Sequence, residues 1–329
     1  MKKRNKYKKT RRVLIGAAAA TALIFVCAAG CSSGKQAENE EAYRQIGLNN
    51  LQSGEYAEAV EAFDQALAQR IGRISDMEID ICYYKALAQF KNGDIEDCLA
   101  TYTALIEYDD KNAEAYFLRG SVYLNQQKNK EALADFAAAV KADDKNYQMY
   151  IEIADALAAA GDSENEQIYL NQAQQIGGKD AESLRYQGII ALRQGKTDEA
   201  LKNLTAALND GDDESSLELG KVYMEQKDAQ KASEMFRAYL EKHKEDTEVI
   251  NQLGCMAAED GDYDTAITYF EQGLSVENAA NKRELMKNEI AAYENKGDFQ
   301  TAKTKMEEYL QSYPEDETAQ REAVFLQTR

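Results

Sequence analysis

The sequence is poor in the residues that interrupt helices or bind metals: its 329 residues include one proline, no tryptophan and one histidine. The apolar residues, 44% of the chain, keep a helical spacing to the end, so we expect an all-α protein. His243 has no cysteine or histidine at metal-ligand spacing, which indicates an ordinary cation near a helix C-terminus. No catalytic triad, phosphate-binding glycine loop or nucleophile elbow is visible. The sequence therefore predicts no catalytic residue, no cofactor and no metal site.

Positive charge is scarce as well. The chain has 39 lysines and arginines against 58 aspartates and glutamates, a net charge of −19. Eight of the basic residues lie within residues 1–12, and residues 1–30 contain no acid, so residues 31–329 have 31 bases against 58 acids and a charge of −27. An acidic surface repels phosphate, so we expect neither a nucleic-acid partner nor electrostatic binding to anionic lipid.

The N-terminus has the order of a secretory signal: basic residues at 1–12, an apolar run from Val13 to Ala29, and small residues before Cys31. The sequence Ala-Ala-Gly-Cys at 28–31 resembles a bacterial lipoprotein signal. The resemblance implies a signal peptide at 1–30, a lipid on Cys31 and a polar, flexible tether at 31–40. The alternative is an uncleaved signal anchor. Both interpretations predict a protein held at the extracytoplasmic face of the cell membrane.

Residues 113–146 define a 34-residue unit. Two stretches with helical spacing of apolar residues, Tyr116–Leu124 and Ala132–Val140, flank the polar run Asn125–Asn129. This pattern predicts a helix, a turn and a second helix.

The small residues Gly120, Ala132 and Ala139 fall where two antiparallel helices must approach closely, and large aromatic residues such as Phe136 stand beside them. This alternation at a fixed period resembles the tetratricopeptide repeat. The resemblance implies an all-α, right-handed α-solenoid over residues 41–329, with about eight helix hairpins and a C-terminal capping helix. The repeats are expected at about 40–73, 79–112, 113–146, 147–180, 181–214, 213–246, 247–280 and 283–316, and the capping helix at 315–329.

Two departures from the pattern stand out. Ile74–Glu78 is an insertion between the first and second repeats. In the eighth repeat, Glu289 and Ile290 replace the expected leucine and glycine, so we expect looser packing near the C-terminus.

Asp260, Asp262, Asp264 and Glu271 copy four ligand positions of a calcium loop, but Thr265 occupies the position that requires glycine. The repeat register also makes the residues that follow a helix, which would point Glu271 away. We therefore expect no calcium site here.

After the signal sequence, Cys82, Cys98 and Cys255 remain, an odd number. Cys82 and Cys98 belong to opposite helices of one hairpin but at different heights, so we expect free, buried thiols rather than a disulfide.

In this family the first helices of successive repeats line a concave groove, and fixed positions on them contact ligands. The resemblance thus implies a strip of apolar and aromatic residues that could bind an extended or helical peptide. Its members are Leu48, Leu51, Tyr83, Tyr84, Leu87, Phe90, Phe117, Leu118 and Leu124 in the first three repeats, and Arg185, Tyr186, Ile189 and Arg193 in the fifth. The alternative is that several of these side chains only pack one helix against another.

The favoured function is a membrane-anchored scaffold that binds an extracytoplasmic protein or peptide in this groove. An accessory factor of envelope assembly or secretion is a more specific version of the same hypothesis, and self-association into a homo-oligomer is a third. An enzyme is disfavoured, because the only candidate is an acidic pair, Glu152 with Asp155, without a nucleophile.

Overall fold

The computed structural model describes residues 32–69 and 73–329. The predicted signal peptide and Cys31 lie outside the described residues. Within them the fold is all-α, with seventeen helices and no strand, as the sequence predicts. None of these helices combines the length and the hydropathy that a membrane span requires.

The helices follow one another with short connections. They are α1 (Ser32–Ser53), α2 (Tyr56–Ala68), α3 (Asp76–Asn92), α4 (Ile95–Tyr108), α5 (Ala113–Asn125), α6 (Asn129–Ala142), α7 (Tyr147–Ala159), α8 (Ser163–Ile176), α9 (Ala181–Arg193), α10 (Thr197–Asn209), α11 (Glu214–Glu225), α12 (Ala229–Leu240), α13 (Thr247–Glu259), α14 (Tyr263–Ser275), α15 (Lys282–Lys296), α16 (Phe299–Ser312) and α17 (Glu317–Leu326).

The described residues form two compact units. The first holds residues 32–178 together with Arg193–Gly195, and the second holds residues 179–192 and 196–329. In the first unit each helix from α1 to α8 packs on the next, and α1 also contacts α3. In the second unit the helices from α10 to α17 pack in the same sequential way. Both units are therefore built from helix hairpins, in which the odd-numbered helix comes first.

Several hairpins close on a glycine that faces a large residue. A Cβ atom placed on Gly120 in α5 would lie 2.8 Å from Cε1 of Phe136 and 3.2 Å from the carbonyl oxygen of Ala132, both in α6. Phe136 and Ala132 are fully buried. Gly188 meets Leu204 and Gly220 meets Phe236 in the same way, as the alternation of small and large residues predicts. The absence of a side chain at these glycines sets the distance between the two helices.

Aspartate and asparagine side chains begin many of the helices. Asn112 accepts a hydrogen bond from the backbone N–H of Ala115 at 3.0 Å, and Asp262 accepts one from Thr265 at 3.1 Å. Such N-cap side chains accept hydrogen bonds from backbone N–H groups that have no partner within the helix. The helix dipole also favours a negative charge at this end. Asp262, one of the residues that resemble a calcium loop, is thus the N-cap of α14. Part of the acidic surplus of the chain is explained by this structural role.

The expected tether at 31–40 differs from the structure, in which α1 already begins at Ser32. After Gly34 this segment has no helix breaker, and Ala37 and the glutamates up to Glu41 favour the helix, so α1 extends toward the N-terminus. The insertion at 74–78 is also partly helical: Ser75 caps α3, and the Glu78 side chain accepts from the Ser75 backbone N–H in a capping box.

Looser packing is expected around Glu289 and Ile290, and the structure shows how the two side chains are accommodated. Both residues are buried, at 2% and 3% exposure. The Glu289 carboxylate forms an ion pair of 2.8 Å with Lys305 of α16. Burial raises the pKa of Glu289, while the Lys305 ammonium opposes that shift. The contact between α15 and α16 thus includes a buried ion pair at the position where the repeat pattern expects leucine.

The start of α17 is fixed by Asp316. Its carboxylate accepts hydrogen bonds from the Tyr309 hydroxyl at 2.7 Å, from the backbone N–H of Ala319 at 3.1 Å, and from Lys287 and Arg283 at 3.1 and 3.0 Å. These donors, the Tyr309 hydroxyl foremost, hold the pKa of Asp316 well below the usual range of an aspartate. One buried carboxylate therefore joins α15, α16 and α17.

We predict that Gly120→Val destabilises the protein by about 1 to 3 kcal/mol, because the new side chain overlaps Phe136 and the backbone of Ala132. The control Ser121→Val, one residue along the same helix, should cost less than about 1 kcal/mol. Urea unfolding followed by circular dichroism measures both. Equal losses in the two variants would show that the close approach at Gly120 does not govern the hairpin.

We predict that Asp316→Asn, which keeps the N-cap but removes the charge, destabilises the protein at pH 7. The folded pKa of Asp316 is depressed, so its stabilising effect is complete above the unfolded pKa of about 3.9 and is lost as pH falls toward the folded value. The difference in unfolding free energy between wild type and variant should therefore shrink below about pH 4. The control Asp298→Asn, at an N-cap whose side chain accepts hydrogen bonds from Thr301, should have the smaller effect. A difference independent of pH contradicts the assignment.

Candidate binding surface on the first helices

The predicted groove residues of the first repeat form part of a core cluster. Leu48 and Leu51 on α1, together with Tyr84 on α3, are partly buried against Phe63 of α2. The Tyr84 ring stacks on Phe63 with 6.2 Å between ring centroids. The Arg44 guanidinium lies 5.8 Å from the centre of the same Tyr84 ring. These side chains are held in place by packing rather than free in solvent.

The second cluster along the chain contains three more of the predicted residues. Tyr83, Phe90 and Leu118 are partly buried around Cys98 and Tyr102. The Tyr83 hydroxyl donates a 2.8 Å hydrogen bond to the side-chain oxygen of Asn112. Tyr83 therefore links α3 to the N-cap of α5.

The remaining apolar members of the first unit differ in exposure. Phe117 is partly buried beside Phe136, with ring centroids 6.0 Å apart, and Leu124 is buried. Leu87, in contrast, is 39% exposed on α3. Among the apolar residues of the predicted strip, Leu87 is the one that projects from the packed layer, so the packing interpretation holds for most of the others.

The predicted residues of the fifth repeat are mostly engaged in pairs. In the second unit, Ile189 is buried, and the Arg185 guanidinium lies 2.9 Å from the Asp212 carboxylate and 4.6 Å from the centre of the Tyr186 ring. Burial raises the pKa of Tyr186. Only part of this group remains open to a ligand.

Arg193 belongs to the first unit, where its guanidinium donates two hydrogen bonds, of 2.7 and 2.9 Å, to Asp155. Both members of the acidic pair considered for catalysis, Glu152 and Asp155, are engaged in contacts within the protein. Asp155 is ion-paired with Arg193, and Glu152 accepts a hydrogen bond from Gln148 at 2.9 Å.

A polar group on α13 and α15 of the second unit is absent from the predicted strip. The Asn251 side-chain nitrogen donates to Glu284 at 2.8 Å, and the Asn288 nitrogen donates to the Asn251 oxygen at 2.9 Å and approaches Cys255 Sγ at 3.5 Å. We call these four residues the amide ladder. Asn251 is 5% exposed, whereas Asn288 and Cys255 are partly exposed. The ladder therefore presents a fixed polar edge to solvent.

A signal for the amide ladder was present in the sequence. Asn251 and Cys255 fall on the fifth and ninth positions of the seventh repeat, and Asn288 on the sixth position of the eighth. The positional rule that selected the strip in the first, second, third and fifth repeats would have selected these residues too. They are missed because polar side chains at those positions do not resemble an apolar strip.

The thiols and the possible metal ligands of the chain offer little chemistry. Cys82, Cys98 and Cys255 are free. Burial raises the pKa of Cys98 to about 11 and also raises that of Cys255, so both thiols are uncharged and weakly nucleophilic at neutral pH. In residues 32–69 and 73–329 no three histidine, cysteine or acidic side chains come together as a metal site. His243 stacks on the Tyr239 ring, with 4.1 Å between centroids.

Three solved structures with a similar fold are distant from this chain in sequence. A chain of the APC/C hetero-tetramer Cut9–Hcn1 matches 89% of this chain with 17% identity and a TM-score of 0.47, and this chain spans only 55% of its length. PilF of Pseudomonas aeruginosa matches 64% of this chain and 96% of its own, with 18% identity and a TM-score of 0.46. The human IFIT1 dimer with m7Gppp-AAAA matches 86% and 76%, with 17% identity and a TM-score of 0.47.

Comparison of the sequence with curated proteins gives no match. Family models give a consistent result, because four tetratricopeptide repeat models match successive parts of the chain. They match residues 83–146 and 118–181, 191–253, 247–279, and 291–316. Together with the helix hairpins described above, these matches show that the chain belongs to the tetratricopeptide repeat proteins.

Proposed function

We propose that the protein is a membrane-anchored scaffold that binds an extracytoplasmic protein or peptide on the exposed sides of its first helices. The observation that carries the proposal is Leu87, which projects from a layer of aromatic side chains on α3 that packing already holds in place. A surface whose side chains are fixed before binding loses little conformational entropy when a partner binds. Tyr83 and Tyr84 supply this fixed layer, and Leu87 supplies the apolar contact.

The amide ladder supports the same function in the second unit. Asn288 uses its nitrogen on Asn251 and Cys255, so its carbonyl oxygen can accept a hydrogen bond from a partner. The two surfaces differ in chemistry: the first offers apolar contact, and the second offers oriented polar groups. The one thiol of the ladder, Cys255, is kept uncharged because burial raises its pKa, which favours binding rather than catalysis.

Charge bears on the class of partner. With a net charge of −19, the chain repels phosphate groups at long range. We therefore favour a protein or peptide partner over nucleic acid.

Membrane attachment is proposed through a lipid on Cys31, at the end of the basic and apolar N-terminal sequence. Since α1 begins at Ser32, directly after Cys31, no long flexible linker separates the lipid from the first hairpin. The first unit would therefore bind its partner close to the membrane surface.

We predict that the full-length protein, produced in bacteria, incorporates labelled palmitate and has an N-terminal peptide that begins with lipid-modified Cys31. Cys31→Ser should abolish the incorporation, and the control Cys27→Ser should not. Metabolic labelling and mass spectrometry of the purified protein measure this. Full-length mass without lipid would support the uncleaved signal anchor instead.

We predict that a photoreactive amino acid in place of Leu87, in the full-length protein in its native membranes, forms an adduct with a partner. The control is the same residue in place of Ile168, which is similarly exposed (43% against 39%) but lies on the second helix α8. An adduct at position 87 should be absent at 168 and should fall about tenfold when Leu51, which belongs with Tyr84 to the cluster around Phe63, is changed to alanine. Identical adducts at both positions, or none at 87, would contradict the proposed surface.

A further inference from the structure

The outer side of the last helix, α17, is unusually apolar for this protein. Val324 is 63% exposed and Phe325 is 46% exposed. The other large apolar residues that are exposed in the described part of the chain occur singly, each on a different helix or loop: Ile46, Ile74, Leu87, Tyr108, Ile168 and Met224. Single exposed apolar residues are common on soluble proteins, but adjacent ones indicate a contact surface.

Both sides of α17 have a helical pattern. On the inner side Ala319 and Leu326 are buried in a cluster with Tyr309 of α16. On the opposite side, exposed residues follow one another at intervals of one to four positions: Glu317, Arg321, Val324, Phe325 and Thr328. This second stripe, which we call the outer stripe, covers no part of its own chain.

The charged residues of this region have few partners of their own. Arg321 donates to the backbone carbonyl of Glu317 at 3.1 Å, and neither residue forms an ion pair in the described part of the chain. The Arg329 guanidinium lies 4.8 Å from the centre of the Phe325 ring and 5.4 Å from that of Phe299. The outer stripe and its margin therefore join aromatic surface to unpaired charges of both signs.

The distribution of charge indicates that the outer stripe is covered by a second copy of the protein. In a chain of net charge −19, most surfaces of two copies repel each other. At α17, however, Arg321 and Arg329 balance Glu317 and Glu322. The acid Glu317 stands at the N-terminal end and Arg329 follows the C-terminal end. Such a stripe is complementary to itself when two copies run antiparallel, because each acid then meets the base of the other copy.

We propose that two copies of the protein form a two-fold symmetric dimer through α17, with the two helices antiparallel. Val324 and Phe325 are covered by the same residues of the second copy. Arg321 lies against the Phe325 ring of the second copy, where a guanidinium over an aromatic face is favourable. Glu317 lies near Arg329 of the second copy. This surface is distinct from the first-helix surface proposed for partner binding, and it does not depend on that proposal.

The size of the surface sets the strength of the dimer. A ten-residue helix is about 15 Å long, so the interface stays below the roughly 1,600 Å² of a standard complex. We expect a weak dimer, with a dissociation constant of about 100 µM. Because the two copies repel each other at long range, added salt should strengthen the dimer, whereas salt weakens an interface held by attraction between opposite charges.

The test is sedimentation equilibrium of the full-length protein in density-matched detergent micelles, up to about 500 µM, in low and high salt. We expect a monomer–dimer equilibrium that shifts toward dimer in high salt. Phe325→Glu and Val324→Glu should each weaken dimerisation at least tenfold. The matched control is Ile46→Glu, since Ile46 is 47% exposed on α1, almost as much as Phe325. Circular dichroism verifies that each variant is folded.

The possible outcomes are distinct. A wild-type protein that stays monomeric at the highest concentration overturns the proposal. A dimer that Phe325→Glu and Val324→Glu leave intact has its interface elsewhere and overturns it too. Loss of the dimer in Ile46→Glu as well would indicate contact between α1 of one copy and α17 of the next, which contradicts two-fold pairing through α17.

Discussion

The close approach of two helices within each hairpin is the contact on which the rest of the structure depends. Where Gly120 faces Phe136, the missing side chain of one residue receives the ring of the other. A ring in that position is fully buried, and burying an aromatic side chain stabilises the fold more than a single contact at the surface does. The same geometry at Gly220 with Phe236 repeats the hairpin angle. Each hairpin is then a similar block, and blocks of one shape can stack in series.

Two carboxylates enter this core near its C-terminal end, and both have partners. Glu289 stands at a position that the repeat reserves for a small or apolar residue, and its burial is offset by Lys305. Asp316 is buried at the start of α17 and accepts hydrogen bonds from a tyrosine, two cations and the backbone. Without a partner, the free energy cost of burying a carboxylate at either site would exceed the free energy gained from packing. The C-terminal hairpin thus relies in part on charge pairing, as does the hairpin of α5 and α6, where Arg119 pairs with Asp135.

The sequence was sufficient to predict the hairpins, because the spacing of Gly120, Ala132 and Phe136 follows directly from helix geometry. It was less informative where one residue can satisfy two roles. Tyr84 and Phe117 fit a ligand groove by position, but in three dimensions their rings pack against Phe63 and Phe136. Position in the repeat determines the helix on which a side chain lies, while exposure depends on the neighbouring hairpin. The ion pair of Glu289 with Lys305 joins two helices, and no local pattern predicts it.

This division also indicates where specificity must lie. Residues that close the hairpins are constrained by packing, so they cannot vary to suit a partner without a loss of stability. Leu87, the amide ladder and the outer stripe of α17 are not constrained in this way, since each has atoms that no neighbour covers. Their chemistries differ: one is apolar, one is amide-rich, and one combines aromatic rings with balanced charges. A single repeated framework can therefore offer separate surfaces to different partners, because each hairpin fixes the position of its own surface and leaves the side chains free to differ.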